Sequence, residues 1–237
     1  MERIKEKVTD YWTQRVSQFL ALRIKELNSE KAGLWMHELE TYLPGQSGLN
    51  ILDVGTGTGF FAFLLAARGH KVTGIDLTVD MIREAKHTAE SLSLLADFLV
   101  MDAEDPQFLP RSFDAIVTRN LTWTLPHLET TYQRWHTLLK PGGVLINFDA
   151  DYCREEQTPL PANHAHKQIS SSLMQEYASI KDALRPMQRA RPQWDIALLN
   201  AAGFKEITVD TGVWKRVYGK VDEFYNPTPI FTISAKA

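Results

Sequence analysis

The sequence predicts an α/β fold built on a doubly wound, mostly parallel sheet of seven strands with helices on both faces. Three observations carry that expectation. Short apolar strands alternate with helical segments from Asn50 to Phe148, glycines cluster where the first strand enters a helix, and aspartates stand at the carboxyl ends of successive strands. With 237 residues the chain holds one substantial core, so 1–237 is expected to form a single domain.

In chain order, Ile4, Val8, Trp12, Val16, Phe19 and Leu20 recur at helical spacing within a helix that ends at Leu27, with Tyr11 and Arg15 beside the stripe. A second helix is expected from Ser29 to Tyr42, stopped by Pro44-Gly45 and Ser47-Gly48, which makes residues 1–45 a helical extension. The cofactor-type core, 46–148, then reads as strands at Asn50–Val54, Lys71–Ile75, Asp97–Met101, Phe113–Thr118 and Val144–Phe148. Helices at Phe60–Arg68, Val79–Ser91 and Pro126–Leu139 separate them, the last followed by a Pro141-Gly142-Gly143 turn. Residues 149–192 are polar, carry Pro159, Pro161, Pro186 and Pro192, and contain a helix near Ala165–Leu184, so they read as an insertion after the fifth strand. A helix at Trp194–Ala202 and strands at Lys205–Asp210 and Ile230–Ala235 close the fold within 193–237.

Composition removes several function classes. A hydrophobic fraction of 44% with 23% charged residues is globular, and a net charge of −3 gives no basic footprint for nucleic acid. Cys153 is the only cysteine, which excludes an internal disulfide and a cysteine-rich metal site. His164 and His166 lie near it, but a His-x-His pair without a further ligand set reads as solvated, and no metal is expected. Met1–Lys7 is densely charged, unlike a secretion signal, and the apolar run Phe60–Ala67 is far shorter than the roughly 20 residues that span a bilayer. A cytoplasmic protein with no membrane partner is the expectation.

The loop Asp53-Val54-Gly55-Thr56-Gly57-Thr58-Gly59 runs from a strand into a helix, where glycine admits close backbone approach and the helix start offers free amides. Its spacing departs from the dinucleotide fingerprint, because Phe60 stands where the last glycine belongs, and it lacks the Gly-Lys-Ser/Thr of a P-loop. Asp76 follows the second strand, where a carboxylate meets ribose hydroxyls, and Asp102 ends the next, within reach of an adenine amino group. Each aspartate alone reads equally well as a helix or turn cap; the ordered trio with the loop favours ligand binding.

Through LDVGTGTGF, GID, MDAED, FDAIVTRN and LLKPGGVL, spanning roughly residues 50–150, the chain resembles the class I S-adenosylmethionine-dependent methyltransferases. The resemblance implies a Rossmann-like fold and S-adenosyl-L-methionine as cofactor. It also implies that Gly55 and Gly57, with Thr56, approach the methionine part, that Asp76 and Leu77 hold the ribose, that Asp102 and Ala103 contact the adenine, and that Asp53 orders the loop. Tyr11-Trp12-x-x-Arg15 and Arg191-Pro192-x-Trp194-Asp195 look like features of a small-molecule branch.

Methyl transfer from a sulfonium needs alignment and exclusion of water rather than a triad, with a base where the acceptor must lose a proton. The segment Thr118–Thr124 is expected beside the sulfonium, and its departure from Asn-Pro-Pro-Tyr lowers the expectation of a nucleobase or amide acceptor. Asn120 is a candidate for the cofactor's amino group or for orienting the acceptor; Trp123 reads as a cation-binding wall or as packing. Asp149, Asp151 and Tyr152 are expected to face the same crevice, Asp149 as candidate base. If the first helix folds over the cleft as a lid, Arg15 pairs with the cofactor carboxylate and Tyr11 covers the reaction site. Arg185, Arg189 and Arg191 read either as an anion-recognising stretch or as a solvated face. The expected function is N- or O-methylation, ahead of C-methylation, of a small molecule by a monomer or homodimer. The alternatives are cyclisation of the cofactor with loss of methylthioadenosine, and binding without turnover; Phe60 disfavours a nicotinamide enzyme.

Overall fold

The computed structural model describes residues 2–154 and 169–237. Helices α1 (Glu2–Leu27) and α2 (Glu30–Tyr42) precede β1 (Asn50–Val54), α3 (Phe60–Ala66), β2 (Lys71–Asp76), α4 (Val79–Ser91), β3 (Ala96–Val100) and β4 (Phe113–Arg119). After them come α5 (Leu128–Leu138), β5 (Leu139–Asp149), α6 (Ser171–Leu184), α7 (Gln193–Ala202), β6 (Lys205–Asp210), α8 (Val213–Tyr218) and β7 (Phe231–Lys236). The seven strands form one sheet in the order β3-β2-β1-β4-β5-β7-β6. β1 through β5 are mutually parallel, and β7 inserts antiparallel between β5 and β6. The chain turns from one half of the sheet to the other between β1 and β4, and in open α/β sheets a crevice opens at the carboxyl ends of the strands at such a point.

Both faces of the central strands are covered. Ile51, Ala115, Val117, Ile146 and Phe148 pack toward α2, α3 and α8, while Leu52, Val54, Ile116 and Leu145 pack toward α5 and α7. The period of two thus separates two cores instead of a core and a wet face. Trp35 of α2 is fully buried against Phe61, Phe148 and Tyr218, pinning the N-terminal helices to the sheet. Ser29 caps α2 by accepting from Lys31 N, and Ser170 caps α6 by accepting from Leu173 N. No helix of the described residues is long and apolar enough to cross a membrane.

Three local expectations change. Pro141-Gly142-Gly143 lies inside β5 rather than forming a turn before it, because Gly142 N donates to Ala237 O and Ala237 N to Gly143 O, extending the ladder. The helix α8, with Val213, Val217 and Tyr218 buried, was not expected from the sequence: six residues between Gly212 and Gly219 are too few to show a period. The inserted helix is described from Ser171; His164, His166, Pro159 and Pro161 lie outside the described residues.

Candidate active site

β1 delivers the glycine loop to the crevice. Gly55 N and Thr56 N both donate to Ile75 O, at 2.8 and 2.9 Å, so the loop folds back onto the end of β2. Gly55 and Gly57 adopt φ of 69° and 55°. An added Cβ would fall 2.8 Å from Leu121 Cδ1 at Gly55 and 3.2 Å from Phe19 Cε1 at Gly57, side-chain ends that can give, so it is the positive φ that favours glycine at both positions. Asp53 is buried beneath the loop, where its Oδ2 accepts from Thr56 Oγ1 (2.6 Å) and Ala62 N (3.1 Å), tying the loop to the first turn of α3. Burial pushes its carboxyl up to about 7, partly offset by those two hydrogen bonds and reinforced by the nearby charge of Asp76.

At the end of β2, Asp76 Oδ2 accepts from Gly57 N (3.0 Å) and Oδ1 from Thr78 N (2.8 Å). Burial raises its pKa while these donors lower it. Asp102 follows β3; its Oδ1 accepts from Glu104 N at 2.9 Å and its Oδ2 meets Lys5 Nζ at 2.6 Å. Lys5 also meets Glu104 at 2.5 Å, so α1 is fastened across the mouth of the crevice. Burial opposes the charge of Lys5, yet its bonds to Asp102 and Glu104 hold its pKa above the ordinary value.

Between α1 and these loops lies a cavity of about 150 Å³. Lys5, Asp102, Ala103 and Leu125 line one end, Asp76 and Leu77 the middle, and Gly55, Gly57, Phe19, Arg23, Arg119 and Asn120 the other. A larger open hollow of about 580 Å³, between Ser29–Lys31 and Lys220–Phe224, shares none of these residues. At the glycine-loop end, buried Glu26 serves two guanidiniums: Arg23 pairs with it, and Arg119 donates to both its oxygens, at 3.1 and 3.4 Å. Arg119 also lies 4.6 Å over Trp35 and 4.8 Å over Phe60. Two cations against one carboxylate leave this end positive, suited to an anionic group. Sequence reasoning missed Lys5, Phe19, Arg23 and Arg119; for Arg119 the available signal was a charged residue at the end of β4.

The expected site residues divide. Asn120 lines the cavity with φ of 55°, and its Oδ1 accepts from Tyr152 OH at 2.9 Å. Gly55, Gly57, Asp76, Leu77, Asp102 and Ala103 line it too, whereas Thr56 and Asp53 stand behind it. Tyr11 and Arg15 are buried outside the lining, Tyr11 against Trp12 and Tyr177 at 5.3 and 5.5 Å. Trp123 is buried between Tyr152 and Tyr177.

Asp149 is corrected. It has no exposure, and instead of facing the crevice it accepts from Trp123 N (3.0 Å), Ala150 N (2.8 Å), Thr122 Oγ1 and Arg191 Nη1 (3.2 Å). Arg191, equally buried, also makes a two-pronged pair with Asp195, Nε–Oδ2 at 2.8 Å and Nη2–Oδ1 at 2.6 Å. Its lone pairs are committed to these donors, and it presents no surface to the crevice. The basic stretch splits accordingly: Arg191 is interior, while Arg185 and Arg189 are exposed. Cys153 is buried, its thiol pushed up to about 11 chiefly by desolvation, and among the described residues no group of acidic, histidine or cysteine side chains is placed to hold a metal.

Residues 51–143 match the family model of the methyltransferase domain. The chain is similar to that family over this stretch. Over 120 residues it is 38% identical to phosphoethanolamine N-methyltransferase 3 of Arabidopsis thaliana, covering 50% of this chain and 23% of that protein. Over 99 residues it is 36% identical to the ubiquinone biosynthesis O-methyltransferase of Chromobacterium violaceum, covering 41% and 42%. The chain therefore spans less than half the length of these curated relatives. The fold is similar to that of an S-adenosylmethionine-dependent methyltransferase from Aquifex aeolicus, with a TM-score of 0.61 at 16% identity over 92% of this chain and 97% of that one. The matched residues cover the glycine loop, Asp76, Asp102 and Asn120; α1, the insertion and the closing strands lie outside them.

Proposed function

We propose that the chain is an S-adenosylmethionine-dependent methyltransferase that methylates nitrogen or oxygen on a small-molecule acceptor. The observation that carries this reading is the convergence of the Gly55–Gly57 cradle and the Asp76 carboxylate on one cavity at the β1/β4 switch point. The residues present fit the cofactor. The positive φ at Gly55 and Gly57 favours glycine, so backbone forms that wall. Asp76, which accepts from Gly57 N and Thr78 N, lines the cavity where a vicinal diol would meet a carboxylate. Arg23 and Arg119 offer an electropositive end for the amino-acid carboxylate, and Asn120 a polar side chain beside it. When bound, the cofactor would supply an electrophilic methyl on a sulfonium, held by the glycine loop, Asp76 and the Arg23–Arg119 end. The chain's own part is alignment and drying: α1 covers the cavity with Trp12 and Phe19, and Lys5 closes its mouth.

Thermal melting tests the cofactor directly. S-adenosylmethionine and S-adenosylhomocysteine are expected to raise the melting temperature, and NAD is not; no rise with the first two removes the proposal. Incubation with methyl-labelled cofactor and a metabolite extract is expected to label a small molecule and release S-adenosylhomocysteine, whereas release of methylthioadenosine marks cyclisation. Asp76→Ala should weaken S-adenosylhomocysteine binding by about 1 to 3 kcal/mol through loss of charged hydrogen bonds, measured by calorimetry; an unchanged affinity takes Asp76 off the ribose.

A further inference from the structure

Arg15 is 3% exposed, and its Nε and Nη1 are buried without a hydrogen-bond partner. Among the described residues no carboxylate pairs with it. A buried guanidinium without acceptors is among the least favourable arrangements a folded chain can hold, so it points to an anion that arrives from outside. Burial and the neighbouring charge of Arg23 push its pKa down, while Tyr11 and Tyr177 hold it up, and it stays a cation.

Arg23 and Arg119 line the glycine-loop end of the cavity and Arg15 does not. On α1, Val8, Trp12 and Phe19 face the cavity, whereas Tyr11 and Gln14 face α6 through the Tyr11–Tyr177 contact and a 3.2 Å bond from Gln14 Nε2 to Glu176. Arg15 stands one turn from Tyr11 and from Phe19, between those two faces. From there rings run toward the cavity: Tyr11 to Tyr177 (5.5 Å), Tyr177 to Trp123 (5.5 Å), Trp123 to Tyr152 (5.4 Å), and Tyr152 OH to Asn120 (2.9 Å).

Resting on the cofactor reading above, we propose that Arg15 binds a carboxylate or phosphate group of the methyl acceptor, entering between α1 and α6 along the aromatic track with its nucleophilic end toward Asn120. The acceptor is thus a small anion. Its charge is read by the first helix, outside the residues that match the methyltransferase family, and the bond replaces partners that the free protein lacks.

The test is calorimetry on the full chain, with and without saturating S-adenosylhomocysteine, using benzoate, phenyl phosphate and benzyl alcohol as probes at constant ionic strength. One of the two anions is expected to bind, identifying carboxylate or phosphate as the source, and benzyl alcohol to bind about tenfold more weakly or not at all. Arg15→Gln should weaken the anion by about tenfold or more while leaving S-adenosylhomocysteine affinity within about twofold. Should that variant fold poorly, the Nε–H resonance absent from Arg15→Lys identifies Arg15 in the wild-type nitrogen–proton spectrum and is expected to shift with the anion. Equal anion binding in Arg15→Gln, an unmoved resonance, or a wild type that binds cofactor and neither anion overturns the proposal. Loss of S-adenosylhomocysteine in Arg15→Gln also overturns it, placing Arg15 on the cofactor. A wild type that takes no S-adenosylhomocysteine refutes the cofactor reading itself, and an anion still held by Arg15 is then no acceptor.

Discussion

Replacing Arg191 with methionine is expected to lower the unfolding free energy by about 3 to 5 kcal/mol, the range found when one partner of a buried ion pair is removed. Arg191 lies between Asp149 and Asp195, all three side chains without exposure. Burial opposes the guanidinium's charge, but Asp195 and Asp149 hold its pKa above the ordinary value. In the variant two carboxylates remain in the interior with Tyr132 OH, Thr122 Oγ1 and two backbone amides as their donors among the described residues, too few to replace a cation. The consequence reaches the candidate site, because Thr122 and Trp123 hang on Asp149 and begin the turn that follows Asn120. Urea unfolding should show a lower midpoint with an unchanged slope. A loss under about 1 kcal/mol would mean that the charges are not coupled as the geometry implies.

The same network shows what the sequence could and could not disclose. The strands β1, β2 and β4 were legible because they are short apolar runs ended by acidic or charged residues, and the glycine loop because its spacing has a direct backbone meaning. Asp149 misled because a carboxylate just after an apolar strand looks alike whether it faces a crevice or a guanidinium 42 residues onward. Periodicity carries no information about such a partner. Arg23 and Glu26 were invisible for a similar reason: on a helix they look like an ordinary surface pair, and only the docking of α1 onto Arg119 brings them to the cavity. Lys5 meets Asp102 across 97 residues. The cofactor-facing loops are local in sequence, whereas the lid is a tertiary contact.

Asp53 gives the chain a pH dependence whose sign follows from its burial. Its carboxyl is pushed up from 3.8 to about 7, so the folded state holds the proton that the unfolded state has already released in that window. Stability contributed by the protonated form is complete below about pH 4 and is lost as pH rises through about 7. At about 1.36 kcal/mol per unit, the three-unit difference sets a ceiling on the order of 4 kcal/mol. Asp53→Asn removes the titration while its amide oxygen still accepts from Thr56 Oγ1 and Ala62 N, where Asp53 Oδ2 now does. Unfolding free energies measured at pH 4.5, 6 and 7.5 should therefore fall with rising pH in the wild type relative to Asp53→Asn. Parallel profiles would place the Asp53 pKa near its ordinary value. Since the Asp76 charge contributes to raising Asp53, the Asp76→Ala variant should move the window downward as well as weaken the cofactor. The loop's order and its ligand are thereby joined through two carboxylates on neighbouring strands, and a shift in that window reports their coupling without any turnover.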